Sequence, residues 1–492
     1  MLSSSAASTV AGQGLKIAVV GCGHGELDTI YATAEAECEK KGWTLSQLDF
    51  LIICGDFQAV RNELDLNGMS VPQRYRKLGD FHKYYSGEAK APVLTIVIGG
   101  NHEAANYLFE LYHGGWLAPN VYYLGAAGVV RYGPCRIAGI SGIYNSRDYT
   151  KPHGERLPYD RDDIRSVYHV REYDVQRLLQ LRKPIDIALS HDWPAWIELF
   201  GDYRDLYAKK PHFLASAVAD NLGSKPGTGL FDHLRPSYWF SGHMHVRFSA
   251  VVDLQGQVGI DNALAGMPDL PDKLKPILTR SLSKGKGSKN VSPRRAVDVA
   301  ASKTEFLALS KVGSPTSEWL EVRSLTNPPL DHMDNTSTTV ASPPDNERTS
   351  ERKQKFELCY DEEWLAITRA YAPELRIANP ETLIVPPATA TTKVSKTSLD
   401  EHKRWTRENI TDKGLLQIPR NFARHAPVFE RSNPGEAVTD MQPVEYPNQQ
   451  TSQFCELLQI ENTFAIPDIR RNNDAETMVE FASESDCWGS TL

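Results

Sequence analysis

A chain of 492 residues exceeds what one ordinary hydrophobic core can organise, so two or three domains are expected. With 41% hydrophobic and 24% charged residues it reads as a globular protein, and a formal net charge of −8 excludes a globally basic nucleic-acid binder, leaving only a local patch for such contacts. Seven cysteines, at 22, 38, 54, 135, 359, 455 and 487, are odd in number and form no CxxC pair, which argues against a disulfide framework or a zinc finger and for a reducing compartment.

Residues 1–14 lack the basic and apolar regions of a secretory signal and are expected to be disordered. No apolar run approaches the roughly 18 residues of a membrane span, so no membrane contact is expected and the chain reads as intracellular and soluble. From residue 15 to about 253, short apolar runs alternate with amphipathic stretches, the pattern of an α/β fold. "LKIAVVG", "LDFLIICG", "VLTIVIGG", "VYYLG", "RIAGISG", "IDIALSH", "YWFSGH" and "FSAVVD" read as strands, several of them parallel and covered by helices. "ELDTIYATAEAECEKKG" and "DDIRSVYHVREYDVQRLLQL" carry apolar residues at helical spacing.

Beyond the catalytic-domain candidate, 15–267, the stretch 268–303 is rich in Lys, Arg, Ser and Pro and reads as a basic disordered linker. A second, smaller unit is expected over 304–467, with "TEFLALSKV" and "EWLEVRSL" as strands, "FELCYDEEWLAITRAYAPEL" as a helix, and a disordered interruption at 326–354. Residues 468–492 form a polar, acidic tail.

Metal-competent side chains gather where the proposed strands end. Cys22 and His24 follow "IAVVG", Asp56 follows "LIICG", Asn101 and His102 follow "TIVIGG", His191 follows "IALS", and His243 and His245 follow "WFSG". Loops beyond the carboxyl ends of strands in an open α/β sheet converge on one crevice. Each pair alone is weak evidence; His243 and His245 gain weight because alternate residues of a strand share a face. The ordered set fits a two-metal hydrolytic site, in which two cations about 4 Å apart clamp a phosphoryl group, acidify water and stabilise the leaving oxygen, with Asp56 the natural bridge.

The order "GCGHG", "GDF", "GGNHE", "SHDWP", "SGHMH" resembles the calcineurin-like metallophosphoesterases, whose first motif is normally Asp-x-His. It is closer still to the lariat debranching enzymes, a branch of that superfamily with Cys in the first motif. The likeness extends to "SGIYNSRDYTKPHGERLPYDRDDIRSVYHVREYDV" and more weakly to "EFLALSK" and "FCELLQIENTF". The resemblance implies a β-sandwich flanked by helices with a smaller carboxyl-terminal domain. It implies one metal on Cys22, His24, Asp56 and His245, a second on Asp56, Asn101, His191 and His243, and His102 as general acid. Glu103 and Asp192 are candidates for orienting the imidazoles. The metals implied are Fe²⁺ and Zn²⁺, with Mn²⁺ supportive, because a thiolate favours softer ions.

Between a strand and a helix, residues 141–174 interleave aromatic and basic side chains, a composition suited to stacking bases and pairing phosphates. In the family this stretch looks like a lariat recognition loop, and Tyr144, Asn145, Arg147, Tyr149, His153, Tyr168, His169 and Arg171 are its candidate substrate contacts. The implied reaction is hydrolysis of the 2′,5′-phosphodiester at the branch of excised intron lariats, giving linear intron RNA for turnover, with the nucleus as the implied location. The alternatives are another dimetal phosphoesterase, such as a protein or nucleotide phosphatase, from which loop 141–174 and Cys22 set this chain apart, and a non-catalytic RNA-binding or scaffold protein on a degenerate phosphoesterase fold, against which the intact donors at every motif argue.

Overall fold

The computed structural model describes residues 14–253, 272, 274, 301–315, 318–325, 356–378, 394–430 and 441–466. All but the last residue of the expected disordered amino terminus, most of the basic linker, the interruption at 326–354 and the acidic tail fall outside the described residues.

Among the described residues, thirteen strands form two sheets: β1 (Leu15–Val20), β2 (Phe50–Ile53), β3 (Thr95–Val97), β4 (Gly115–Ala118), β5 (Val121–Tyr123), β6 (Ala127–Tyr132), β7 (Cys135–Ile140), β8 (Ile187–Ser190), β9 (Tyr238–Ser241), β10 (Phe248–Asp253), β11 (Lys303–Ala308), β12 (Leu320–Leu325) and β13 (Leu358–Tyr360). One sheet runs β12-β1-β2-β3-β5-β4 and the other β10-β11-β9-β8-β7-β6-β13. The central pairings β1–β2–β3–β5 and β7–β8–β9–β11 are parallel.

Strand alternation explains why these segments are apolar throughout. Ile17, Val19, Phe50, Ile52, Ile96 and Ile98 meet Ile137, Ile187, Leu189 and Phe240 in the layer between the sheets. Their neighbours Ala18, Val20, Leu51 and Ile53 face outward and are covered by the helix Leu27–Lys40 through Leu27, Ile30, Tyr31 and Ala34. On the far side Ala138, Ala188, Trp239 and Phe306 are capped by helices that include Lys225–Leu234 and Glu362–Tyr371. Parallel strands buried on both faces need continuous apolar runs. The fold is the expected helix-flanked β-sandwich.

The carboxyl-terminal segment is woven into this sandwich. β11 lies between β10 and β9, β12 covers the edge at β1, and β13 covers the edge at β6. Strand edges expose unpaired backbone groups, and this placement pairs them.

Two expected helices change shape. The one drawn over 162–181 breaks into Asp163–Ser166 and Glu172–Leu178, because the chain between them extends to pair with Ile143: Ile143 N–H donates to Tyr168 O at 3.2 Å and Val170 N–H to Ile143 O at 2.9 Å. The one expected from residue 356 starts at Glu362, where Asp361 caps it by accepting from Trp364 N–H at 3.0 Å. Residues 358–360 are drawn off into β13.

Candidate metal centre

All five motifs sit in turns just past the carboxyl ends of β1, β2, β3, β8 and β9, so the strand register carries them to one place. The turns are tight, with His24, Asp56, His243 and His245 all in the left-handed region at φ of 46°, 45°, 67° and 49°. Such backbone costs on the order of 1 kcal/mol or more per residue and persists only where the surroundings over-determine it, as at functional sites. Close approach is secured by glycine. A Cβ on Gly100 would lie 2.3 Å from Asp56 Oδ1, and one on Gly55 would lie 2.3 Å from His191 Nδ1.

His243 and His245 do not alternate along a strand as expected. β9 ends at Ser241, and the two imidazoles reach the centre from a turn of left-handed residues.

One ligand atom each from Cys22, His24, Asp56 and His245 lies within 4.8 Å of the others. His24 Nε2 is 3.2 Å from His245 Nε2 and 3.7 Å from Asp56 Oδ2. On the other side of the carboxylate, His191 Nε2 is 3.3 Å from Asp56 Oδ1 and 3.2 Å from Asn101 Oδ1, and the His243 ring stands 5.0 Å from that of His191. His102 Nδ1 lies 3.5 Å from Asp56 Oδ2, and its side chain is 35% exposed. The other seven predicted residues thus gather around the buried Asp56 carboxylate.

The electrostatics suit a cation-binding cup. Burial opposes charge on Asp56, but the imidazoles of His191, His102 and His24 outweigh it and hold the carboxyl well below its usual range. Burial drives His24 and His245 down to about 4 and His243 to about 3, the nearby His191 adding to the shift at His243, so these rings are neutral near pH 7 with lone pairs to donate. Burial and then the Asp56 charge push the Cys22 thiol well up. A cation reverses that sign, since a coordinating thiol is deprotonated, and His243 N–H already donates to Sγ at 3.0 Å. Neutral imidazoles, an amide oxygen, a carboxylate and a thiol around one point fit divalent metal ions.

Glu103 and Asp192 hold backbone rather than imidazoles. Glu103 accepts from the backbone N–H groups of Phe57, Gln58 and Gly100 at 2.7–2.8 Å, tying the Asp56 turn to the Asn101 turn. Asp192 accepts from Tyr144 N–H at 3.3 Å and anchors the start of loop 141–174. The imidazoles are instead oriented by groups the motifs did not flag: the Cys54 carbonyl, accepting from His191 Nδ1 at 2.7 Å, and the Gln58 amide, 3.3 Å from His24 Nδ1. Gln58 stands two residues after Asp56 in "GDFQ", and that spacing is its only sequence signal.

Loop 141–174 lies beside this centre, and its candidate contacts divide. Arg147 is exposed, and Tyr144, Asn145, Tyr149 and Tyr168 are partly so. His153, His169 and Arg171 are turned inward: Arg171, 1% exposed, donates to Glu155 at 2.5 Å, His169 Nδ1 is 2.7 Å from Asp148, and His153 Nε2 is 3.4 Å from Asp174. Polar side chains with so little exposed surface brace the loop from within, whereas open substrate contacts were expected at these three positions.

This fold and this centre define a calcineurin-like phosphoesterase, and residues 15–247 match the family described by that name. Residues 301–463 match the lariat debranching enzyme C-terminal domain. A lariat debranching enzyme of Arabidopsis thaliana is 39% identical over 90% of this chain and 86% of its own length. Those of Homo sapiens and Schizosaccharomyces pombe are 40% and 36% identical, over 91% and 89% of this chain and 69% and 95% of their own lengths. The chain belongs to the lariat debranching enzyme family.

Proposed function

We propose that this protein hydrolyses the 2′,5′-phosphodiester at the branch point of RNA lariats, releasing linear intron RNA. The observation that carries the reading is the convergence of His24, His102 and His191 within 3.7 Å of the buried Asp56 carboxylate, with the Cys22 thiol in the same cluster. Cys22, His24, Asp56 and His245 would hold one divalent cation, and Asp56, Asn101, His191 and His243 the other. When bound, such a pair supplies Lewis acidity and lowers the pKa of water. The thiolate supports Fe²⁺ or Zn²⁺ at the Cys22 side and Mn²⁺ as a working substitute.

In the proposed reaction, water attacks phosphorus in line with the 2′-oxygen, and the bond from phosphorus to that oxygen breaks. The products carry a free 2′-hydroxyl and a 5′-phosphate. His102 is the proton donor to the departing oxygen. Its Nδ1 faces Asp56, which leaves Nε2 as the nitrogen to reach the substrate. The backbone N–H of His102 donates to Asp56 Oδ1 at 2.8 Å, fixing the donor to the carboxylate it serves. Loop 141–174 would seat the branch so that only the branched phosphate reaches the centre.

The test offers branched RNA, linear RNA and a phosphopeptide to purified protein with Mn²⁺ or with Fe²⁺ and Zn²⁺. Preferential turnover of branched RNA is expected; preference for the phosphopeptide overturns the reading. His102→Ala should lower kcat by about 10²–10⁴-fold and leave branched-RNA binding nearly intact, and unchanged turnover removes His102 from the mechanism. The nucleus is the location this substrate implies. "SKGKGSK" and "SPRR" within 268–303 are the candidate import elements, and imaging a chain deleted of 268–303 tests them.

A further inference from the structure

The segment Ser70–Asp80 connects two edges of the metal centre. It starts beside the His102 turn, where Met69 bridges to Ala104, and it ends on the His24 turn, where Asp80 N–H donates to Gly25 O at 2.7 Å. Its beginning also touches the recognition loop, with Ser70 Oγ 3.3 Å from the Tyr168 hydroxyl. Between these anchors the chain reads "VPQRYRKLG", three cations and no acid in a protein of net charge −8.

The crest of this arch is pre-formed. Residues Gln73–Tyr75 make a 3₁₀ turn, closed by Tyr75 N–H donating to Pro72 O at 2.8 Å and Arg76 N–H to Gln73 O at 3.0 Å. The Arg76 guanidinium braces it by donating to Val71 O at 2.9 Å and Asn67 Oδ1 at 3.2 Å. Tyr75 projects from the crest 59% exposed, while most large apolar side chains of the described residues are covered. Arg74 lies over its ring at 4.8 Å, and among the described residues neither Arg74 nor Lys77 is paired with a carboxylate.

We propose that this arch is a second RNA contact, taking a base on Tyr75 and backbone phosphates on Arg74 and Lys77 from a strand that leaves the branch point. An exposed aromatic among unpaired cations is the arrangement that stacks bases and tracks a phosphate backbone without reading sequence. Its continuity with Tyr168 makes one rim from the recognition loop, past the metal centre, to the His24 turn. The arch, which presupposes the debranching reading, thereby sets a preference for branched RNA with long arms over a minimal branched trinucleotide.

The test compares wild type, Tyr75→Ala and Arg74→Ser/Lys77→Ser on a branched RNA with arms of ten nucleotides and on a branched trinucleotide. Wild type should cleave both. In Tyr75→Ala the ratio of KM for the long-arm RNA to KM for the trinucleotide should rise by about tenfold, the worth of one stacked base. In the double variant the slope of log KM against log salt for the long-arm RNA should fall by about one to two units, roughly one for each phosphate no longer held. Unchanged ratio and slope, with wild type active on both substrates, overturn the arch and leave the debranching reading standing. A wild type inert on both branched RNAs overturns the debranching reading itself and the arch with it. All three side chains are on the surface, so the variants should fold.

Discussion

The candidate metal centre and loop 141–174 lie side by side but are held by different means. Around Asp56 the functional groups sit in turns locked onto two sheets, and the backbone itself is the scaffold: Asn101 and His102 N–H groups donate to Asp56 Oδ1 at 3.0 and 2.8 Å, and His24 N–H to the Asp56 carbonyl at 2.5 Å. Loop 141–174 has little regular structure and is built around buried charges, Arg171 with Glu155, Arg177 with Asp174 and Arg156 with Glu445. The groups around Asp56 are therefore placed by topology, while the shape of loop 141–174 depends on ion pairs that one substitution can break. The carboxyl-terminal segment serves both regions. Ser310 O accepts from Cys22 N–H at 3.3 Å and Val312 N–H donates to Cys22 O at 3.1 Å, while Ala378 and Glu445 hold the loop.

The largest effect should come from the middle of the centre. Asp56→Asn removes the charge shared by both halves and should cut turnover by on the order of 10³–10⁴-fold, several kcal/mol of transition-state stabilisation, with little change in branched-RNA affinity. Turnover within tenfold of wild type would deny the carboxylate its bridging place. Cys22→Asp follows. Exchanging thiolate for carboxylate should move the optimum from Fe²⁺ or Zn²⁺ toward Mn²⁺ or Mg²⁺ in a metal-titrated assay while the circular-dichroism melt stays cooperative. An unaltered metal profile would mean that Cys22 is not a ligand.

The loop should break differently. Arg171→Met strands Glu155 in a buried site and should cost about 3–5 kcal/mol, seen as faster amide hydrogen exchange over 145–170 and a raised KM for branched RNA. Hydrolysis of a small phosphodiester at the metal centre should persist. Adding Glu155→Gln should recover most of the protection, because the stranded charge is then gone. A raised KM with no change in exchange, and no recovery in the double variant, would restore Arg171 to direct RNA contact. The same pair sets a pH dependence. Burial opposes charge on Glu155, but Arg171 outweighs it and holds the folded pKa below the ordinary 4.5. The stabilisation is therefore fully present above pH 4.5 and is lost as pH falls through the depressed value, so exchange over the loop should accelerate only in acid.

Legibility in the sequence follows the same division. The parallel strands of the first 253 residues were readable because strands buried on both faces must be apolar along their whole length, and the ligands because each follows such a run, whereas the antiparallel β4 and β6 were not singled out. Geometry supplied by backbone was not readable: the left-handed turns at His243 and His245 and the Cys54 carbonyl that orients His191 leave no side-chain pattern. In loop 141–174 composition announced arginines, histidines and tyrosines but not which face inward, because Arg147, exposed, and Arg171, buried, look alike until Glu155 is brought beside one of them. Strands β11 and β12 were visible as apolar runs and β13 was hidden in the start of an expected helix, but the insertion of all three into the sandwich depends on partners between 50 and 310 residues away along the chain, and no local periodicity records those.

The smallest effect should come from the outer clamp on the loop. Glu445 spans two partners, Oε2 lying 3.2 Å from Arg156 Nη1 and Oε1 accepting from Leu157 N–H at 3.3 Å, and the neighbouring Gln442 amide exchanges two hydrogen bonds of 2.7 Å with the backbone of Tyr159. Glu445→Ala removes the first pair and leaves Gln442, the backbone bridge between His153 and Ile377, and the Arg171–Glu155 pair in place. Removing a hydrogen bond to a charged partner costs about 1.5–3 kcal/mol locally, but the remaining anchors keep the loop seated for most of the time, so KM for branched RNA should rise by no more than about fivefold with kcat unchanged. Glu445→Gln keeps an acceptor for Leu157 N–H and should recover part of that deficit. If Glu445→Ala instead lowers kcat on the small phosphodiester as well as on branched RNA, the clamp reaches the metal centre, and the two regions are one mechanical unit.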